Sequence, residues 1–179
     1  MAEHDLTAER LRQLLSYNQD NGLFTWLKRD EHEFISTRSY KSWTARYAGK
    51  SAGHKHRDTG YVIVVINGTQ HKGHRLAWLY VYGRWPEHGI DHINGNRSDN
   101  RIQNLRDVPP RTNSENQRSA KSGNKAGMLG VSWHEKNKKW QAEICIDGKK
   151  HYIGTFEKQE DAHKEYLSVK RAMHGGCTI

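Results

Sequence analysis

The chain has 179 residues, with 29 Lys and Arg against 20 Asp and Glu, a formal charge of +9 and a pI near 9.6. No apolar run reaches the ~20 residues of a membrane span, the N-terminus lacks a signal-peptide core, and two cysteines without a CxxC motif argue against a disulfide framework or a cysteine zinc site. We therefore expect a soluble protein of a reducing cytoplasm. The charge favours nucleic acid as partner over an anionic membrane, although solubility alone would also explain it.

The N-terminal third gives clear local signals at first and weak ones later. Residues 6–16 predict a short amphipathic helix with Thr7 as its N-cap. An Asn-Gly pair then marks a turn into a strand at 23–26. From 27 to 57 no period is sustained, and two interpretations stay open: a loop-rich connection that orders on DNA, or an irregular piece of the core.

A hairpin and a helix follow. The β-branched run 61–66 ends at Asn67-Gly68, two residues that tolerate positive φ in a tight turn. The segment that begins at His74 predicts a helix with several apolar residues available for a core, and Gly83 ends it. These elements would form a platform for the segment that comes next.

The most informative stretch runs from Ile90 to Asn116. It opens with Asp91 and His92 side by side and continues through a polar loop that contains a glycine. An apolar return at 104–106 and a polar segment able to form a helix, which carries Asn113, complete it. The order is strand, loop, short strand and helix.

The letters DHINGNRSDNRIQNLR resemble the nuclease core of HNH endonucleases, most closely the phage- and intron-encoded homing branch, in which asparagine replaces the last histidine. His92 matches the first histidine, Asn104 the asparagine and Asn113 the final metal-binding position. The likeness extends upstream through LTAERLRQLLSYNQDNGLFTW, AGKSAG and HRLAWLYVYGRWPEHGIDH. It implies an α+β fold with a ββα-metal (His-Me finger) core at about 88–117 and a hairpin and helix platform before it.

The chemistry of phosphodiester cleavage fits these residue types. A water attack needs a base, and a neutral histidine serves near pH 7. It also needs a cation at the phosphate, and oxygen ligands from Asp and Asn suit Mg²⁺, with Mn²⁺ as a substitute. We assign His92 as general base and Asp91 and Asn113 as metal ligands. Adjacent strand residues point to opposite faces, so the strand must bend or end at this pair.

Asn104 is expected to hold the loop by hydrogen bonds from its side chain to the backbone. The candidate phosphate clamps are Arg97, Arg101 and Arg106, each of which is also explained as a surface charge.

Three other interpretations of this stretch compete with a nuclease core. A calcium loop fails because Ile93, Gly95 and Ile102 occupy its third, fifth and twelfth places. An ordinary turn would explain the Asp-His pair but not the asparagines that follow it. The histidine spacings that superficially suit zinc are those of His71 with His74 and of His88 with His92, but the turn-rich context does not favour a helical pair. The sequence leaves the role of His74 open.

The C-terminal part predicts a separate small module. We place the nuclease domain at 1–117, a basic linker at 118–127 and a DNA-binding domain at 128–179. The last part shows three strand-like runs, two of them joined by Asp147-Gly148, and then a helix. The residues expected near one face of that helix are Ala162, Tyr166, Val169 and Met173.

This module resembles the ethylene-response-factor (Apetala-type) DNA-binding domain, in which a three-stranded sheet lies in the major groove. The likeness rests on features that include Gly130-Val131, Ala142-Glu143-Ile144 and Gly154-Thr155-Phe156. Ser132 and His134 stand where arginines are common, so base readout does not follow. The expected DNA-binding residues are Trp133, Lys136, Lys138, Lys139, Trp140, Lys149 and Lys150. A basic, solvated sheet without a ligand is the alternative.

The sequence therefore predicts a Mg²⁺-dependent endonuclease that acts as a monomer and nicks one strand of duplex DNA. A non-catalytic DNA-binding transcription regulator that uses the C-terminal module is the second hypothesis, and an enzyme that acts on RNA is the third.

Overall fold

The computed structural model describes residues 6–120 and 123–179 and comprises two compact units, Met1–Asp107 and Val108–Ile179. Each unit has a hydrophobic core of its own. Lys121 and Ser122 of the expected linker lie outside the described residues, and the domain boundaries proposed from the sequence stay a prediction. In the described ranges, no helix is long and apolar enough to cross a membrane.

The first unit is built from small antiparallel sheets and three α-helices. Its elements in chain order are α1 (Ala8–Leu14), β1 (Leu15–Asn18), β2 (Leu23–Trp26), a 3₁₀ turn (Glu31–Glu33), α2 (Thr37–Tyr47), β3 (Ser51–Ala52), β4 (His54–Lys55), β5 (Val62–Ile66), β6 (Thr69–Lys72), α3 (Gly73–Tyr82), β7 (Gly89–His92), a second 3₁₀ turn (Ile102–Asn104) and β8 (Leu105–Val108). The sheets have the orders β1-β2-β3, β4-β5-β6 and β7-β8.

The predicted local signals near the N-terminus are confirmed. The hydroxyl of Thr7 accepts a hydrogen bond from the Arg10 N–H at 3.2 Å, which caps α1. The helix is shorter than expected because Leu15 is extended and starts β1. Asn67 and Gly68 both have positive φ and form the tight turn between β5 and β6.

Residues 27–57 contain a helix that the sequence pattern did not predict. Before α2, the Ser36 hydroxyl accepts from the Ser39 N–H and the Ser39 hydroxyl accepts from the Ser36 N–H, each at 3.2 Å, forming a capping box. On the helix, the Trp43 ring stands edge-on to Trp26 with centroids 5.7 Å apart. The loop-rich interpretation is therefore wrong. The alternative, an irregular piece of the core, holds only in part: no residue of α2 is buried, but Ala52 in the same range is buried in the core of the first unit.

The second unit consists of a short helix, an antiparallel sheet and a long helix. Its elements are α4 (Pro110–Glu115), β9 (Val131–His134), β10 (Lys139–Ile146), β11 (Lys149–Phe156) and α5 (Gln159–Met173). The sheet order is β11-β10-β9, and Asp147-Gly148 forms the predicted turn with positive φ at both residues. Ala162 and Tyr166 of α5 are buried and Val169 packs against the same core, whereas Met173, on the same face at the end of the helix, is 55% exposed.

Candidate functional site

The acid and the histidine stand where a strand stops. β7 ends at His92, and the His92 carbonyl accepts from the Gly95 N–H at 2.8 Å in a turn where Gly95 has φ +74°. The next residue, Ile93, still donates its N–H to the Asn104 carbonyl at 2.9 Å. The expectation that the strand ends at this pair is therefore confirmed, and Asp91 and His92 are both buried.

Asn104 closes the asparagine-rich loop, residues 93–104. Its Nδ2 donates to the Asp99 carbonyl at 2.8 Å, and its Oδ1 accepts from the Asn94 N–H at 2.9 Å. The residue is 7% exposed. Its predicted role of holding the loop by side-chain to backbone hydrogen bonds is confirmed.

Asp99 and Arg101 of this loop form an ion pair with each other. The Asp99 carboxylate accepts from Arg101 Nε at 2.8 Å and from Asn94 Nδ2 at 2.7 Å. The hydrogen bond from Arg101 lowers the pKa of Asp99 to about 2. Arg101, a predicted phosphate clamp, is thus already bound to a carboxylate, although its side chain is 49% exposed.

The His92 ring is enclosed by other rings and by an amide. It stands edge-on to His74 with centroids 5.0 Å apart, and the Tyr61 centroid is 5.9 Å away. His92 Nε2 lies 3.4 Å from Asn100 Oδ1. The residue is 4% exposed, and this burial lowers the pKa of the imidazole. The lowered pKa favours the neutral imidazole, which is the form that a general base requires.

Asn100 is a site residue that the sequence reasoning missed. It is 1% exposed, and its carbonyl accepts from the Tyr17 hydroxyl at 2.6 Å. A Cβ on Gly73 would lie 2.7 Å from Asn100 Nδ2, so a glycine there leaves room for this amide. In the sequence Asn100 is one of several asparagines in a polar loop, and no spacing distinguished it.

His74 lies beside the candidate base rather than on the surface. Burial, followed by the charges of His92 and Lys72, lowers the pKa of His74 to about 3. Its Nδ1 has no hydrogen-bond partner among the described residues. A neutral ring packed against His92 and Tyr61 forms part of the wall of the site.

Asp91, the expected metal ligand, is bound by an arginine. Arg106 approaches Asp91 Oδ2 with Nε at 2.9 Å and Nη2 at 2.7 Å. Arg97, the remaining predicted clamp, donates to the Thr59 carbonyl at 3.2 Å and stands 5.2 Å over the Tyr61 ring. All three candidate arginines thus have partners in the first unit.

The other expected ligand belongs to the second unit. Asn113 lies on α4, is exposed, and donates its backbone N–H to the Pro109 carbonyl at 3.1 Å. A pairing of Asp91 with Asn113 therefore stays a prediction. Among the described residues no group of three or more His, Cys, Asp or Glu could hold a metal ion.

A polar cavity of about 400 Å³ lies beside the asparagine-rich loop. The residues that line it are Asp20, Asn94, Arg101, Gln103 and Asn104. Asn104, whose side chain binds the loop backbone, therefore also lines this polar cavity.

The sheet of the second unit exposes an aromatic side chain. Trp133 is 45% exposed, stands edge-on to Trp140 with centroids 5.0 Å apart, and donates its indole N–H to Glu135 at 2.8 Å. Trp140 packs against the core of the unit. Of the two tryptophans, Trp133 therefore has the larger exposed surface for contact with a ligand.

Three of the five lysines expected to bind phosphate are paired with carboxylates. Lys138 contacts Glu135, Lys139 is 2.8 Å from Glu157, and Lys150 is 3.9 Å from Glu143. The two that make no ion pair in the described parts of the chain are Lys136 and Lys149.

Comparison with known proteins places this site in a matched segment. The family model described as HNH endonuclease matches residues 71–117, which contain His74, Asp91, His92, Asn104 and Asn113. Protein 3.8 of Escherichia phage T7 is 32% identical over 103 residues, covering 57% of this chain and 84% of that protein. No solved structure matches the chain. The family match ends at residue 117, so the resemblance of 128–179 to an ethylene-response-factor domain stays a prediction.

Proposed function

The chain belongs to the family of Protein 3.8 of Escherichia phage T7 and carries an HNH endonuclease domain at residues 71–117, and from this premise we propose that it hydrolyses phosphodiester bonds of duplex DNA with the help of Mg²⁺. The observation that carries the proposal is that Asp91 and His92 stand together at the end of β7, inside the segment that the HNH endonuclease model matches. The His92 ring is held beside Asn100, and burial lowers the pKa of its imidazole.

His92 serves as the general base. If its Nε2–H donates to Asn100 Oδ1, the basic lone pair resides on Nδ1, which takes the proton of the attacking water. The ring of His74 stands edge-on to this imidazole, with the ring centroids 5.0 Å apart. Because His92 is 4% exposed, the scissile phosphate reaches it only at the small part of the residue that remains open, or after the asparagine-rich loop moves.

Asp91 and Asn113 would hold the cation, and hard oxygen donors of this kind fit Mg²⁺, with Mn²⁺ as a substitute. When bound, the ion supplies a Lewis acid that stabilises charge on the phosphate and on the departing 3′ oxygen. Arg106 fixes the Asp91 carboxylate and brings a second positive charge to the same place. The ββα-metal arrangement of β7, β8 and α4 is part of this proposal.

One histidine base in each chain supports cleavage of one strand by a monomer. The second unit would hold the substrate through its basic sheet, with Trp133 and the unpaired lysines at its surface. Such contacts to the backbone position DNA without reading its sequence.

Cleavage of supercoiled plasmid in Mg²⁺ tests this proposal. We expect nicked circles to form before linear DNA. His92→Ala should lower the nicking rate at least about 100-fold, while the affinity for duplex DNA changes little. The matched control is His88→Ala, which removes an exposed histidine and should cut normally. Linear product without a nicked intermediate would contradict single-strand cleavage.

A DNA-binding regulator without catalysis is the second candidate, and the near-complete burial of His92 is the observation that favours it. A wild-type protein that binds duplex DNA tightly, yet cuts neither DNA nor structured RNA in Mg²⁺ or Mn²⁺, would support this candidate. Cleavage of structured RNA but not of DNA would assign the enzyme to RNA instead.

A further inference from the structure

Positive charge in the first unit is concentrated at residues 34–57. This segment has six Lys and Arg and no Asp or Glu, whereas the rest of Met1–Asp107 has ten basic and twelve acidic residues. It contains α2 and lies outside the HNH match at 71–117. We propose that the outer face of α2 binds the phosphate backbone of duplex DNA, an inference that rests on the proposed function for the choice of DNA as partner.

The helix divides its residues between two sides. At 3.6 residues per turn, Arg38, Lys41 and Arg46 spread over an arc of about 140° of the helix surface. Trp43 and Tyr47 lie outside that arc, with Arg46 as the basic residue nearest to Trp43. The three basic residues are exposed, and their side chains make no ion pair or hydrogen bond within the described residues. Their charges are therefore available to an external anion.

The aromatic side fixes the orientation of the helix. The Trp43 ring lies 5.7 Å from Trp26, 5.7 Å from Phe34 and 5.5 Å from Tyr47, measured between centroids. The guanidinium of Arg29 stands 5.5 Å over the same ring. Since α2 is held to the first unit by these rings, its basic side is presented in one fixed direction.

The outer face has the shape and chemistry that DNA requires. Ser42 and Ala45 lie between the basic residues, and both are small and exposed. A helix about 10–12 Å wide can approach a major groove about 12 Å wide, and small side chains let its backbone come close to the phosphates. An anionic membrane is the less suitable polyanion, because the residues between the three basic side chains are small, and Ile35, whose large apolar side chain is exposed, precedes the helix.

The test compares two variants that lose the same charge. The helix variant is Arg38→Gln/Lys41→Gln/Arg46→Gln. The control is Lys125→Gln/Lys158→Gln/Lys164→Gln, which removes three exposed lysines of the second unit that lie outside its strands. Affinity for a labelled duplex is measured by fluorescence anisotropy in EDTA over a range of salt concentrations, and circular dichroism checks that both variants fold.

We expect the helix variant to bind at least about tenfold more weakly near 100 mM salt, with a salt slope smaller by ~2.7 because three phosphate contacts are lost. The control should change affinity less than about threefold. An unchanged slope in the helix variant, or an equal loss in the control, would overturn the proposal. Arg38→Lys/Arg46→Lys should keep the wild-type slope, and a loss of slope there would also overturn it.

This experiment separates the helix from the nuclease because EDTA prevents metal-dependent cutting. If the wild type never cuts DNA but the helix variant loses its salt slope, the inference about α2 stands and the proposed catalysis fails. If the wild type nicks DNA and the helix variant binds with an unchanged slope, the inference about α2 fails alone.

Discussion

The asparagine-rich loop and helix α2 belong to the same unit but treat their polar groups in opposite ways. In the loop, Asp99 binds Arg101 and Asn94, while Asn104 and Asn100 are buried with defined partners. On α2, by contrast, the basic side chains are exposed and unpaired within the described residues. These polar groups of the loop bind neighbours within the unit, whereas the basic side chains of α2 remain available to a partner.

This difference follows from what each proposed task requires. A general base must be held in position before the substrate arrives, and buried hydrogen bonds achieve that. Affinity for a phosphate backbone arises from charges that release counterions on binding, so those charges must remain exposed. Changes in the loop should therefore alter stability and cleavage together, whereas changes on α2 should alter DNA affinity alone.

Among the variants that test this comparison, Asn104→Ala should have the largest effect on stability and on cleavage. The variant leaves the Asp99 carbonyl and the Asn94 N–H without their partner, and each loss costs ~1–3 kcal/mol where the group is buried. We expect the free energy of unfolding in urea to fall by about 2 kcal/mol and the nicking rate to fall at least about tenfold.

Asn96→Ala is the matched control for that variant. Asn96 is exposed, and its Oδ1 accepts from the N–H and the hydroxyl of Ser98 at 3.1 and 2.9 Å. Because water can replace these bonds, we expect a loss below about 1 kcal/mol. Equal losses in the two variants would mean that Asn104 does not hold the loop.

An intermediate effect should appear as pH is lowered. Arg101 holds the pKa of Asp99 at about 2 in the folded protein, against an ordinary value of 3.8. A carboxyl with a lowered folded pKa stabilises the fold above its unfolded pKa, and this contribution is lost as pH falls from about 4 through 2. Asp99→Asn should therefore be less stable than wild type by about 1–2 kcal/mol at pH 7 and equally stable near pH 2.

Urea unfolding of both proteins between these pH values measures that difference. A gap that stays constant from pH 7 to pH 2 would show that the charge of Asp99 contributes nothing. The result also bears on the comparison, since the loop would then owe its order to the asparagines alone.

Features set by near neighbours in the chain were predictable from the sequence. The Thr7 cap, the Asn67-Gly68 turn and the bonds of Asn104 each depend on residues at most ten positions away. The local φ preferences and hydrogen-bonding options of these side chains therefore sufficed.

Features set by distant contacts were not predictable. The inner face of α2 is defined by the contacts of Trp43 with Trp26 and Phe34. The spacing of these aromatic residues in the sequence does not show that they meet. Asn100 is fixed by Tyr17, 83 positions away, and by the space at Gly73. The sequence singled out Asp91 and His92 but not Asn100, whose amide oxygen lies 3.4 Å from His92 Nε2.

The smallest expected effect concerns the sheet of the second unit, where paired and unpaired charges occur side by side. Lys136 is exposed and makes no ion pair in the described residues, whereas Lys138 contacts Glu135. A lysine that already has a carboxylate partner must give it up to bind phosphate, and an exposed pair is worth at most about 1 kcal/mol. Lys136→Gln should lower the salt slope of DNA binding by ~0.9, and Lys138→Gln should lower it less. If Lys138→Gln has the larger effect, or if neither variant changes the slope, then exposed and unpaired charge does not identify the DNA-binding surface of this sheet. The same argument would then support the proposal for α2 less strongly.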